Sequence, residues 1–189
     1  MAEEGITQGV VIGLARGGVE VGAEVARRLQ MPLDALAVRK IGHPLQPEYA
    51  IGAVTPDGGV HLRAGSDLNG SEVAAAASAA LAEAAALDGR LHSGRPAVDL
   101  AGRSCVLVDD GLATGATMAA AVSWARGRGA VRVIVAVPVG APATVEALGR
   151  LADGIVCLEA PDALGSVGEW YDDFGQVSDD RVVDLLGGP

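Results

Sequence analysis

The chain has 189 residues, half of them apolar, which suits a single domain with a real core and excludes a disordered segment. Its 24 acidic residues outnumber 14 basic ones, and a formal net charge of −10 argues against a nucleic-acid backbone as partner. A small anionic ligand is not excluded by that number.

Other classes fall on specific residues. The longest uncharged run, residues 111–125, has 15 residues and is rich in Gly and Thr, whereas a membrane span needs about 20 mostly apolar ones. The start, Met1-Ala2-Glu3-Glu4, is acidic where a secretion signal is basic. Cys105 and Cys157 sit in apolar, strand-like segments and read as buried thiols. A soluble, cytoplasmic protein is expected, with no membrane or nucleic-acid partner. The only lysine, Lys40, stands between Arg39 and Ile41, so no Walker A loop is present. No serine has glycine at both −2 and +2, and no His-Glu-x-x-His or paired Cys-x-x-Cys occurs.

In chain order, residues 10–14 (Val-Val-Ile-Gly-Leu) predict a buried strand, followed by Ala15-Arg16-Gly17-Gly18 and a helix ending near Gln30. Residues 33–38 predict a second strand, completing a βαβ unit of a parallel sheet. Residues 50–54 and 60–62 flank Pro56-Asp57-Gly58-Gly59, the pattern of a β-hairpin. An Ala-rich helix is expected over 71–87, with Ser71 and Glu72 suited to its start. Then come a strand at 104–108, a glycine-rich loop, a helix at 118–128, a strand at 131–137, a helix at 143–151 and a strand at 155–158. The fold class is therefore α/β, an open, mainly parallel twisted sheet flanked by helices. One domain is expected over 1–189, with a core at about 8–160 and a tail at about 161–189. From residue 151 onward there are nine acidic residues and one basic residue, Arg181, so most of the net charge is local to the tail.

The strongest chemical signal is Val106-Leu107-Val108-Asp109-Asp110-Gly111-Leu112-Ala113-Thr114-Gly115-Ala116-Thr117. A buried strand ends in two carboxylates, and a loop of small residues then opens a helix. Ligands bind at the C-terminal ends of parallel strands. Small residues let backbone N–H groups approach a phosphate, and Thr114 and Thr117 add hydroxyl donors. Adjacent carboxylates suit vicinal hydroxyls or a hydrated divalent cation. Phosphate, diol and metal together describe a phosphorylated sugar. The alternative is an ordinary strand-to-helix turn capped by Asp and Thr.

Four apolar residues, two acids and Gly-x-Ala-Thr-Gly-x-Thr resemble the phosphoribosyl pyrophosphate (PRPP) motif of type I phosphoribosyltransferases. The resemblance implies that Asp109 and Asp110 hold the ribose hydroxyls and, indirectly, Mg²⁺. It gives the 5′-phosphate to Gly111, Ala113, Thr114, Gly115, Ala116 and Thr117. Ala15-Arg16-Gly17-Gly18 looks like the family's pyrophosphate loop, with Arg16, Gly17 and Gly18 as its ligands. Arg39 and Lys40 join Asp109 and Asp110 as the implied catalytic set. The Gly/Pro-rich stretch after Lys40, residues 41–48, reads as a flexible lid. Gln46-Pro47-Glu48 with residues 50–54, and Gly94-Arg95-Pro96, resemble a subgroup of phosphoribosyltransferases without an assigned acceptor. Ala113 stands where hypoxanthine/guanine-type enzymes carry an aspartate, which tells against a 6-oxopurine. The N-terminus looks short, with little room for a helix before the first strand.

The family places its acceptor hood partly outside the sheet, and three of the five aromatic residues, Trp170, Tyr171 and Phe174, cluster in the tail. Trp170 or Tyr171 is expected to stack on an acceptor, with Asp172 or Asp173 reading ring N–H groups, and Phe174 to anchor the tail. His43 is the one histidine worth testing, and His61 is expected to face solvent. The implied function is Mg²⁺-dependent transfer of the phosphoribosyl group of PRPP to a nitrogen acceptor, such as a nucleobase, within nucleotide metabolism. A noncatalytic PRPP-binding regulator and a phosphorylated-sugar or nucleotide hydrolase are the alternatives. Homodimerisation follows from the resemblance alone.

Overall fold

The computed structural model describes residues 9–63 and 69–187. The acidic start and the short N-terminal segment lie outside the described residues, as do the side chains of Pro47 and Glu48.

Strand β1 (Gly9–Leu14) is buried along its whole length, as befits the interior of a parallel sheet. It feeds α1 (Gly17–Leu29), which stops where Gln30 turns left-handed at φ 53°. The chain returns as β2 (Leu33–Leu36). Later come β6 (Ser104–Val108), α3 (Ala116–Gly127), β7 (Arg132–Val139), α4 (Pro142–Gly149) and β8 (Gly154–Glu159). The central sheet is five-stranded, ordered β2-β1-β6-β7-β8, and every pairing in it is parallel. The chain moves outward in one direction from β1 to β2 and in the other from β6 to β8. The strand order therefore reverses between β1 and β6, the position where open α/β sheets leave a crevice for ligands.

A second, antiparallel sheet is formed by β3 (Arg39–His43), β4 (Gln46–Val54) and β5 (Val60–Leu62). The stretch expected as a flexible lid, residues 41–48, lies within a paired hairpin of residues 39–54. The reason lies in its apolar positions. Ile41, Ile51 and Val54 are buried against Ala77 and Ala80 of α2 (Gly70–Leu91) and hold the strands to the helix. The expected second strand also stops at Leu36, two residues short of Val38.

Helix α2 runs on to Leu91, because Leu87 and Leu91 continue its buried face. Asn69 caps it, accepting from the N–H groups of Ser71 and Glu72, while Glu72 accepts from the Asn69 N–H. The tail folds as a 3₁₀ turn (Val167–Trp170) and a terminal helix, α5 (Asp179–Leu186). That helix had a readable start, because the Ser178 hydroxyl accepts from the Arg181 N–H and two aspartates fill the first turn. Val182 of α5 is fully buried in a cluster with Val19, Ala35, Leu87 and Leu91.

Cys105 is buried in the sheet, Cys157 is only half-buried, and both are free thiols. Among the described residues, no helix is long and apolar enough to cross a membrane.

Candidate active site

The register of β1 on β6 places Gly13 opposite Val108, so the loops that leave these two strands start side by side. Their contact is intimate. A Cβ on Gly17 would overlap the Asp110 carboxylate, and one on Gly18 would lie 2.5 Å from the Val108 carbonyl oxygen and 2.8 Å from the Asp109 Cα. Only glycine admits this approach of the two loops. The peptide between Ala15 and Arg16 is cis.

Asp109 and Asp110 are partly exposed residues whose carboxyl groups lie deep in the crevice. Burial, followed by repulsion from Asp110, pushes Asp109 well above the usual carboxylate range, and burial also raises Asp110. The Asp110 N–H donates to Asp109 Oδ1 at 3.0 Å. Lys40 acts on both carboxylates and favours their charged forms. Arg39 does not join it, because neighbouring residues of a strand face opposite ways. Its guanidinium donates instead to the Val38 carbonyl at 3.1 Å. Of the two strand-end cations expected at the site, the fold brings one.

After the diacid, Leu112 bridges to Gly140, its N–H donating to the Val139 carbonyl while its own carbonyl accepts from Ala141. Gly115 takes φ 74° and leads into α3. Thr144, absent from the sequence reading, donates to the Ala113 carbonyl at 2.7 Å and fixes the loop's back. Among the described residues, no acceptor takes the N–H groups of Ala113, Thr114, Gly115, Ala116 or Thr117. Five donors without a protein acceptor thus lie in one small-residue loop at a helix start, the setting in which anions bind.

The tail closes over this loop. Val167 packs where a side chain on Gly111 would stand, and Tyr171 donates its hydroxyl to the Asp110 carbonyl at 2.6 Å. Burial, then the two aspartates, push the Tyr171 phenol up to about 12. Trp170 instead donates its indole N–H to the Leu164 carbonyl and does not line the cavity beside Gly17 and Asp110. Phe174, expected as an anchor, is half exposed, stands 5.1 Å from the Tyr171 ring and lines that cavity. The cavity measures about 540 Å³ and joins Arg16, Gly17 and Asp110 to the tail from Tyr171 to Val177. Arg16 meets Asp179 of α5 at 3.4 Å.

The histidines sort differently from the expectation. His43 Nδ1 accepts from the Leu45 N–H within the hairpin turn. His61 is half-buried rather than turned to solvent and borders a groove along α3. The informative one is His92, whose Nε2 lies 3.1 Å from Asp34 and Nδ1 3.4 Å from Asp88.

The phosphoribosyl transferase domain profile matches residues 2–172. The chain belongs to the phosphoribosyl transferase domain family, type I. It is 42% identical to the solved protein TT1426 from Thermus thermophilus, with a TM-score of 0.85, covering 98% of this chain and 89% of that one. It is also 45% identical over 182 residues to two Mycobacterium tuberculosis proteins, of strains H37Rv and CDC 1551, each named "Putative phosphoribosyl transferase". The match covers 94% of this chain but 41% of each relative, so the chain spans about two fifths of their length. The motif that carried the resemblance in the sequence sits at the reversal of strand order.

Proposed function

We propose that this site transfers the 5-phosphoribosyl group of PRPP to a nitrogen acceptor with release of pyrophosphate. The observation that carries this reading is the contact of the Gly17-Gly18 turn with the Asp109-Asp110 pair at the β1/β6 crevice. One substrate then meets both loops at once. The amides of residues 113–117 and the Thr114 and Thr117 hydroxyls hold the 5′-phosphate. Asp109 and Asp110 accept from the ribose 2′- and 3′-hydroxyls, and Arg16 with the Gly17 and Gly18 amides receives the pyrophosphate.

The donor set suits Mg²⁺. Two crowded carboxylates are raised by burial, and among the described residues neither is engaged in an ion pair. No group of three or more His, Cys, Asp or Glu gathers for a metal among the described residues, so the other ligands of a cation here come from substrate and water. When bound, Mg²⁺ supplies charge neutralisation for the leaving pyrophosphate. The acceptor nitrogen's lone pair forms the bond to C1′ as the C1′–O bond breaks. The bonding pair leaves with pyrophosphate, and the acceptor's N–H proton passes to solvent. Asp109 and Asp110 stabilise the positive charge that develops on the ribosyl ring during this exchange, and Lys40 offsets part of the cost of their own charge.

Cytoplasmic residence, a place in nucleotide metabolism and a homodimer belong to the same reading by family likeness. Calorimetry with PRPP and Mg²⁺ tests it, and absence of binding would overturn it. Pyrophosphate release across bases and amines then separates the candidates. Release only with an acceptor supports transfer, release with water alone indicates a hydrolase, and binding without release indicates a regulator.

A further inference from the structure

The cavity that joins the pyrophosphate turn to the tail has a lopsided charge. Its lining carries three carboxylates, Glu20, Asp110 and Asp173, against a single guanidinium, Arg16. Glu20 is held by Arg181 at 2.7 and 3.1 Å, and Asp110 belongs to the ribose side. Arg16 is shared with Asp179 and, in the transfer reading, faces pyrophosphate. What remains on the tail side is Asp173, Phe174 and Gln176. Asp173 spends Oδ1 on the Gly175 N–H at 3.1 Å, and its second oxygen makes no hydrogen bond among the described residues. Phe174 offers a half-exposed ring face beside it.

We propose that the acceptor is an uncharged or cationic nitrogen heterocycle bearing N–H donors, stacked on Phe174 and read by Asp173, and that carboxylate-bearing rings are rejected. This rests on the transfer reading and narrows its substrate class. A flat ring gains from the exposed aromatic face. An amino group or ring N–H satisfies the Asp173 oxygen with a charge-assisted hydrogen bond. An acceptor carboxylate meets Asp173 with no guanidinium left in the lining to pair it, because Arg16 is engaged elsewhere. Rejection by like charge is the more discriminating half of the design. The ring nitrogen that bonds to C1′ gives up its proton to solvent, as in the reaction above, so Asp173 acts as a binding group and not as a base.

The test is a pyrophosphate-release panel with PRPP and Mg²⁺, pairing amino-substituted rings (adenine, cytosine, 2-aminobenzimidazole) with acidic ones (orotate, nicotinate, anthranilate). Release with an amino ring and none with the acidic set is expected. Asp173→Asn lowers kcat/KM for the amino ring by about tenfold through KM, with PRPP affinity unchanged. Asp173→Lys shifts the ratio of acidic to amino rings upward, a change that a merely structural role for Asp173 would not produce. Turnover of an acidic ring in preference to amino ones overturns the proposal, as does an Asp173→Asn enzyme with unaltered KM. PRPP binding with release from no ring overturns it too. A chain that fails to bind PRPP overturns the transfer reading itself, which calorimetry reads separately.

Discussion

Asp109 and Asp110 put two carboxylates into a crevice where burial opposes their charge, and Gly17 and Gly18 are small because those acids occupy the space beside them. Replacing both acids, Asp109→Asn with Asp110→Asn, relieves the repulsion and removes the carboxylates proposed to accept from the ribose hydroxyls. The fold should hold or gain stability while PRPP affinity drops by at least about tenfold, measured by calorimetry. Gly18→Ala forces a methyl onto the Val108 carbonyl, a backbone group that cannot swing away. It should cost about 1–3 kcal/mol in chemical denaturation and weaken PRPP binding with it. These residues were legible beforehand because a run of acids and small residues has a local chemical meaning. Thr144 was not, nor was the place of Phe174 in the cavity wall. One acts on a loop 31 positions away, and the other is placed by the tail's path over the diacid.

At the scale of elements, the elements of the central sheet announced themselves by apolar runs and glycine turns, whereas the 39–54 hairpin did not. Its Gly, Pro and cationic residues suggest irregular chain, and only packing against α2 makes Ile41 and Ile51 a buried pair. A second unforeseen feature is the joint between β2, α2 and α5. Asp34, 2% exposed, accepts from Arg95 at 2.8 Å and from the Val98 N–H at 2.7 Å, and Arg95 also reaches the Leu186 carbonyl. Burial works against the Asp34 charge, yet the His92 and Val98 hydrogen bonds hold its carboxyl below the usual range. Its hydrogen bond, then that of Asp88, raises His92 to about 10. A histidine raised in the folded state contributes its full stability below about pH 6.5, its unfolded value. That contribution is lost as pH rises through 10. Denaturation midpoints should therefore fall between pH 7 and pH 10, and the fall should be shallower in His92→Gln. At the other end of α2, Asn69→Ala removes the side-chain half of the capping box, the acceptor of the Ser71 and Glu72 N–H groups. It should cost about 1 kcal/mol, with the site unaffected.

For the whole molecule, the sheet edge and the tail form one cavity, so ligand binding and global stability are coupled. Saturation with PRPP and Mg²⁺ at about a hundredfold above Kd should stabilise the fold by about 2.7 kcal/mol, seen as a raised Tm. The acidic tail also bonds back to the body. Asp179 meets Arg16 and Arg90, Asp153 meets Arg126, and Arg181 meets Glu20. Two of the nine acids from residue 151 onward, Asp153 and Asp179, are thus paired with cations, and the tail is tied to the body at those points and at Arg181. Ending the chain at residue 160 removes Val182 and uncovers Val19, Leu87 and Leu91. A truncated chain should unfold at lower denaturant and expose dye-binding apolar surface, the result of losing a packed helix.

By itself the sequence determined the parallel α/β frame, the two glycine loops and the diacid, because each is written in consecutive residues whose chemistry is local. Hydrophobic runs dictate buried strands, and small residues beside acids dictate a loop of unpaired N–H groups next to two carboxylates. Tertiary structure alone decided which strand-end cation reaches the diacid, which aromatic faces the cavity, and that the tail is a strap with its own helix. Those outcomes depend on which face of a strand turns inward and on where a distant segment crosses. Spacing along the chain carries no record of either.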